Sequence, residues 1–174
     1  MLGLEGRTAG MAHHEIRFGP DYDAEFHDVF RARRPVRDPT LYISAPGVSD
    51  PGDAPAGAQT WFVLANAPTH GGGLDWDAEA EAYEQALIER LGVADRVRVC
   101  VRRTPADLER QTGAVGGAIY GAAPHGRLGT LRRPPNAVRG VPGLWLVGGS
   151  THPGGGLPLV MLSAKIVADA IGPA

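Results

Sequence analysis

The stretch GLWLVGGSTHPGGGLPLVMLSAK, residues 143–165, decides how the rest of this chain is read. Its first part predicts a buried strand over Leu144–Val147. A glycine-rich turn over Gly148–Gly156 follows, and then a closing helix from Pro158 at its first position to Ile171. Glycines without β-carbons let a ligand touch bare backbone, and a helix start aims unpaired N–H groups at it. Such a turn suits an electron-rich planar or anionic group. A tight crossover without a ligand is the plainer reading. Against it stands the triplet Gly154-Gly155-Gly156 between Pro153 and Pro158, which mixes close-approach and rigid residues at a cost in ordering entropy.

Working outward, Ala12–Phe18 reads as a short strand. Asp21 then caps a helix with Tyr22, Phe26, Val29 and Phe30 on one face, which Pro35 and Pro39 end. Leu41–Ser44 and Thr60–Asn66 read as strands joined by a long loop rich in Pro, Gly and Asp. Asp75 caps a second helix to Leu91, with Trp76, Ala80, Tyr83, Leu87 and Leu91 near one face and Gly92 as its stop. Val97–Val101 gives another strand. Thr104-Pro105-Ala106-Asp107 starts a short helix ending at Gly113, and glycines dominate from Gly113 to Gly129.

Composition bounds the function classes. The chain has 174 residues, 43% of them apolar, which suits one ordinary globular domain. A net charge of −2 from 17 basic and 19 acidic residues leaves no footprint for nucleic acid. The arginines at 31, 33, 34, 37, 132 and 133 sit beside prolines and read as solvated loops. The single cysteine, Cys100, falls in an alternating strand run and reads as a strand position rather than a reactive thiol. A reducing compartment follows as the default. No segment reaches the roughly eighteen apolar residues of a spanning helix, and the first residues lack a signal-peptide core.

Three local patterns compete for chemistry. Gly148-Gly149-Ser150-Thr151-His152 resembles a nucleophile elbow, but its last glycine is missing and no histidine follows His152 to act as base. Gly71-Gly72-Gly73 lacks both dinucleotide spacing and a P-loop lysine, so it reads as a loop. Among the six histidines only His13 and His14 are neighbours. On a strand they would point to opposite faces and share no metal, so the expectation is no metal site.

Several ordered stretches together carry a family resemblance: DPTLYISAPGVSDPGDAPAG (38–57), WFVLANAP (61–68), GAIYG (117–121), RRPPN (132–136) and VGGSTHPGGGLP (147–158). Nearly the whole chain resembles the C-terminal part of the bacterial phytoene desaturase type of carotenoid desaturases, with related oxygenases and ketolases. The resemblance implies an α/β fold: a mixed or antiparallel substrate-domain sheet with helices, plus the last strand and helix of a Rossmann-like FAD domain. Residues 1–112 would be the substrate-domain remainder, and 113–174 the return to the FAD-binding domain.

The same resemblance implies FAD as cofactor. Gly148 and Gly149 would approach its chain, and Gly156, Leu157 and Pro158 would lie near the flavin ring, with backbone amides favouring negative charge there. The implied reaction is hydride removal from a carotenoid polyene, in a cytoplasmic protein with peripheral membrane contact. The family opens with a dinucleotide-binding turn, and no G-x-G-x-x-G occurs in this sequence, so that N-terminal FAD-binding segment is missing. No side chain stands out as catalytic; His152 and Tyr120 are the candidates. The alternative is a non-catalytic small domain that binds an apolar ligand or a partner protein through exposed strand edges and apolar patches.

Overall fold

The computed structural model describes residues 1–121 and 133–173, and the chain divides into two compact units, Met1–Gly117 and Ala118–Ala174. In the first, five strands form one sheet: β1 (Leu2–Glu5), β2 (His14–Arg17), β3 (Leu41–Ser44), β4 (Ala58–Ala65) and β5 (Val97–Cys100). Their order is β2-β3-β4-β1-β5, and every neighbouring pair is antiparallel. The helices of this unit are α1 (Tyr22–His27), α2 (Trp76–Leu91) and α3 (Pro105–Thr112). The chain is therefore a mixed α/β protein built on an antiparallel sheet.

Period-2 alternation sets which side of the sheet is dry. Leu2 and Leu4 of β1, Leu41 and Ile43 of β3 and Trp61 of β4 are buried together with Ile88 and Leu91 of α2 and with Met11, Ala45 and Val93. Burying each Leu- or Ile-sized side chain contributes roughly 1.5–3 kcal/mol. Side chains on the other face include the exposed Ile16, Phe62, Leu64 and Val99 and the half-buried Tyr42. Leu64 pairs with Tyr42, and Tyr42 with Ile16, so this second face carries an apolar row across three strands. An open groove of about 850 Å³ is lined there by Gly3, Thr60, Phe62, Val99 and Val101.

β1 was not anticipated. It has four residues, one of them glycine, and its alternation is too short to register as a pattern, yet it fills the place between β4 and β5. Gly3 keeps this pairing close, since a β-carbon there would make a tight 3.3 Å contact with Val99 Cβ.

The helix ends follow their local signals. Asp75 Oδ1 accepts the Asp77 N–H, and Gly92 closes α2 in the left-handed region at φ 70°. Thr104 and Asp107 form a reciprocal capping box at the start of α3, with Gly113 as its left-handed stop. Asp21 caps α1, which continues as a π-helical turn over Asp28–Ala32.

The aromatic face of α1 forms as expected but looks outward. Tyr22, Phe26 and Phe30 are exposed, with ring centroids 5.0 and 5.6 Å apart. The buried side chains are instead Glu25 and Asp28, each only 1% exposed. Both have strong partners. Glu25 accepts the Thr40 N–H at 3.0 Å and Asn66 Nδ2 at 2.9 Å, and Asp28 accepts from Arg34 at 2.7 Å and Arg37 at 3.2 Å. Arg34 and Arg37 are thus tied down rather than free loop charges. Burial pushes the Asp28 carboxyl up, but the Arg34 and Arg37 hydrogen bonds outweigh it and hold it at about 2.

The second unit holds one described helix, α4 (Leu157–Ile171). It begins at Leu157, so Pro158 sits at the second helical position rather than the first. The buried strand expected at Leu144–Val147 is not a strand. Only Trp145 bridges, to Ala137, while Leu144, Leu146 and Val147 are exposed. A ladder needs partners, and among the described residues the backbone bonds of this segment are few: Val138 N–H to Leu144 O, Leu146 N–H to Asn136 O, and a turn bond from Leu144 N–H to Val141 O. Part of the glycine-rich stretch 113–129 and Arg132 of RRPPN lie outside the described residues, as does His125.

Candidate functional site

The Gly148–Gly156 turn ends at the Gly156 N-cap of α4, which has φ 96° and no side-chain cap. The first-turn N–H groups are therefore not taken up by a capping side chain. Leu157 beside them is 81% exposed. Among the described residues nothing lies within 4 Å of where a β-carbon would stand on Gly148, at φ 128°, or on Gly156. A β-carbon on Gly149 would meet Gly155 Cα at 3.3 Å.

The other glycines serve the protein's own side chains. A β-carbon on Gly154 would overlap the Arg133 guanidinium, and one on Gly155 the Tyr120 ring. Arg133 also donates to the Pro153 carbonyl. Bare backbone is thus filled from within at 154 and 155 and left open at 148 and 156.

Beneath the turn lies a small set of buried polar groups. Asn136 Nδ2 stands 2.9 Å from Leu146 O, 3.0 Å from His152 O and 3.0 Å from Ser163 Oγ. Ser163 Oγ also accepts the Gly148 N–H at 3.3 Å. Pro134 O accepts Thr151 Oγ1 at 2.6 Å and the His152 N–H at 3.0 Å. Asn136, Thr151 and Ser163 are all buried. Sequence reading missed the roles of Asn136, Ser163 and Arg133. The available signal was one polar residue, Ser163, interrupting the apolar run 157–164.

The catalytic candidates are less constrained. His152 is exposed and bonds through its backbone, and the peptide bond to Pro153 is cis. Tyr120 is exposed and lies against Gly155. Among the described residues Ser150, the would-be elbow nucleophile, makes no hydrogen bond to a histidine.

In the first unit a cavity of about 160 Å³ is lined by Ala65, Trp76, Tyr83, Cys100 and Thr104, among others. Desolvation and the neighbouring Glu84 carboxylate push the Cys100 thiol up, the opposite of an activated thiolate. Burial likewise raises the Tyr83 hydroxyl. His13 and His14 do not diverge as expected. Their ring centroids are 4.3 Å apart because only His14 belongs to β2, and their Nδ1 atoms pair with Ser49 and Tyr42 hydroxyls. Among the described residues no three His, Cys, Asp or Glu side chains converge as metal ligands. Gly71–Gly73 form a reversal in which Gly71 and Leu74 exchange backbone hydrogen bonds.

No family model matches the chain. Individual proteins do. The chain is 37% identical to 1-hydroxycarotenoid 3,4-desaturase of Flavobacterium sp. over 91% of its own length and 33% of that protein's. It is 35% identical to hydroxyneurosporene desaturase of Rubrivivax gelatinosus, over 97% of its length and 33% of the relative's. Neurosporene-forming phytoene desaturase of Rhodobacter capsulatus is 37% identical, over 92% and 32%. This chain is a relative of the phytoene and carotenoid desaturases. It spans about a third of the length of those desaturases. The residues expected at FAD from the sequence fall into two groups by their surroundings. Gly148, Gly156, Leu157 and Pro158 form the open rim of the turn, and Gly149 forms its packed interior.

Proposed function

We propose that this chain is the C-terminal part of a flavin-dependent carotenoid desaturase. Residues 1–112 would supply substrate-domain structure, and 113–174 the return to the FAD-binding domain. The observation that carries the reading is the kinship to desaturases over more than nine-tenths of the chain. The open rim at Gly148 and Gly156 and the uncapped start of α4 support it, because they suit a large, planar, electron-rich group. Bound FAD would supply the acceptor for a hydride taken from the polyene.

The chain's own contribution is positional and electrostatic. Gly148 and Gly156 admit close approach, and the first-turn N–H groups of α4 favour negative charge beside them. Within the first unit, the exposed Ile16, Phe62, Leu64 and Val99 offer apolar surface of the kind that binds a long hydrocarbon. The substrate class is an acyclic carotenoid polyene, met by peripheral contact from the cytoplasmic side of a membrane. Among the described residues no helix is long and apolar enough to cross one.

The test is to express the complete reading frame containing this chain with phytoene or a 1-hydroxylated acyclic carotenoid. The expected result is a yellow flavoprotein and products with additional double bonds. A folded, colourless protein that leaves every polyene unchanged would overturn the reading. The groove on the sheet favours one other reading, a non-catalytic domain that binds an apolar ligand. It predicts retained polyene binding without any flavin signal.

A further inference from the structure

We infer that the Asn136 carboxamide and the Ser163 hydroxyl together are the positioning element of the glycine turn, and through it a determinant of flavin affinity. The inference rests on the flavin reading above for its second half only. One NH₂ group, with two hydrogens, stands within hydrogen-bond distance of three acceptors that come from three successive pieces of chain. Leu146 O precedes the turn, His152 O lies inside it, and Ser163 Oγ belongs to α4. The Asn136 backbone carbonyl accepts the Leu146 N–H at 2.7 Å, so Asn136 grips Leu146 from both sides.

Such a node is required by the composition of the turn. Five of the nine residues from Gly148 to Gly156 are glycines, which have no side chains to wedge into a core. Their position must be fixed by directional bonds. Ser163 spends its acceptor capacity on Asn136 Nδ2 and the Gly148 N–H. That bond turns the Gly148 amide inward and leaves open space on its Cα. Pro134, two residues before Asn136, braces Thr151 and His152 in the same sense. Ser163 is fully buried and Asn136 is 6% exposed, so water does not stand in for a lost partner without rearrangement. These residues would not touch the flavin. They act through Gly148.

Ser163→Ala removes the hydroxyl with little change in volume, and Ser163→Thr restores a hydroxyl. Two readouts are taken. In this chain, amide exchange at Gly148 should be at least tenfold faster in Ser163→Ala than in wild type and slow again in Ser163→Thr, with the β4 amides unchanged. In the complete flavoprotein, Ser163→Ala should weaken FAD binding about tenfold with the KM for polyene unchanged. Asn136→Asp, which replaces the donor by a carboxylate facing three acceptors, should reproduce both effects. Unchanged Gly148 exchange in Ser163→Ala and Asn136→Asp overturns the positioning role. Faster exchange with FAD affinity unchanged overturns its link to the cofactor. A wild-type protein that never binds FAD overturns the flavin reading, and the exchange experiment then decides the positioning role alone.

Discussion

The two units are stabilised by different means. Among the described residues, every buried apolar side chain except Val167 belongs to Met1–Gly117, where most of them pack between a sheet face and α2 and a second group gathers at Leu74, Trp76 and Ala106. The unit from Ala118 onward centres on Asn136, Thr151 and Ser163, all polar and all hydrogen-bonded. α4 itself buries only Ser163 and Val167, while Leu157, Met161 and Ile171 are exposed. Hydrophobic burial is non-directional and tolerates small shifts. A hydrogen-bonded node fixes orientation and is costly when half made. The difference shows how one chain holds a sheet by volume and a glycine turn by geometry.

The largest expected effect lies in the first unit. Trp61→Ala should lower its unfolding free energy by about 3–5 kcal/mol in urea titrations, since a 1%-exposed indole leaves a cavity that β3 and α2 cannot close. A cost under about 1 kcal/mol would break the contrast, because the sheet would then not depend on filled volume.

Asp28 tests the polar exception inside the apolar unit. Its folded pKa of about 2 lies below the ordinary carboxylate value of 3.8, so its stabilising contribution is present above pH 4 and is lost as pH falls through about 2. Asp28→Asn should therefore destabilise at pH 7 and lose less on acidification than wild type, read from urea midpoints between pH 5 and pH 2. Parallel pH curves for the two proteins would exclude Asp28 as the titrating group.

Thr104→Ala should cost about 1 kcal/mol by removing the side-chain half of the α3 capping box, in which Thr104 Oγ1 accepts the Asp107 N–H, while the Thr104 N–H keeps its bond to the Asp107 carboxylate. Circular dichroism and urea midpoints measure it. The smallest effect is expected from Val167→Ala on the Gly148 amide, whose exchange should stay slow because apolar packing does not hold the turn. Fast exchange there would erase the distinction between the units.

What the sequence revealed was largely local. Asp21, Asp75, Gly92 and the Thr104–Asp107 box announced helix ends because a cap is satisfied within a few residues. Periodicity placed Tyr22, Phe26 and Phe30 on one face, yet could not say which way that face turns. That is decided by Thr40, Asn66, Arg34 and Arg37, which bond to Glu25 and Asp28 from more distant chain. β1 was too short to show its alternation. The run at 144–147 was apolar enough for a strand but lacks a ladder among the described residues. At the candidate site the glycines were legible. The Asn136–Ser163 pair was not, since 27 residues separate partners that meet only after folding.

The arrangement around Asp28 makes span a chemical quantity. Arg34 and Arg37 both reach back to one carboxylate from the segment that leads to β3. Extra residues between Asp28 and Arg34 or Arg37 would have to be looped out before two guanidinium groups could meet it again. A stretch whose arginines and prolines suggest a freely extensible tether therefore has a length dictated by its own counter-ion.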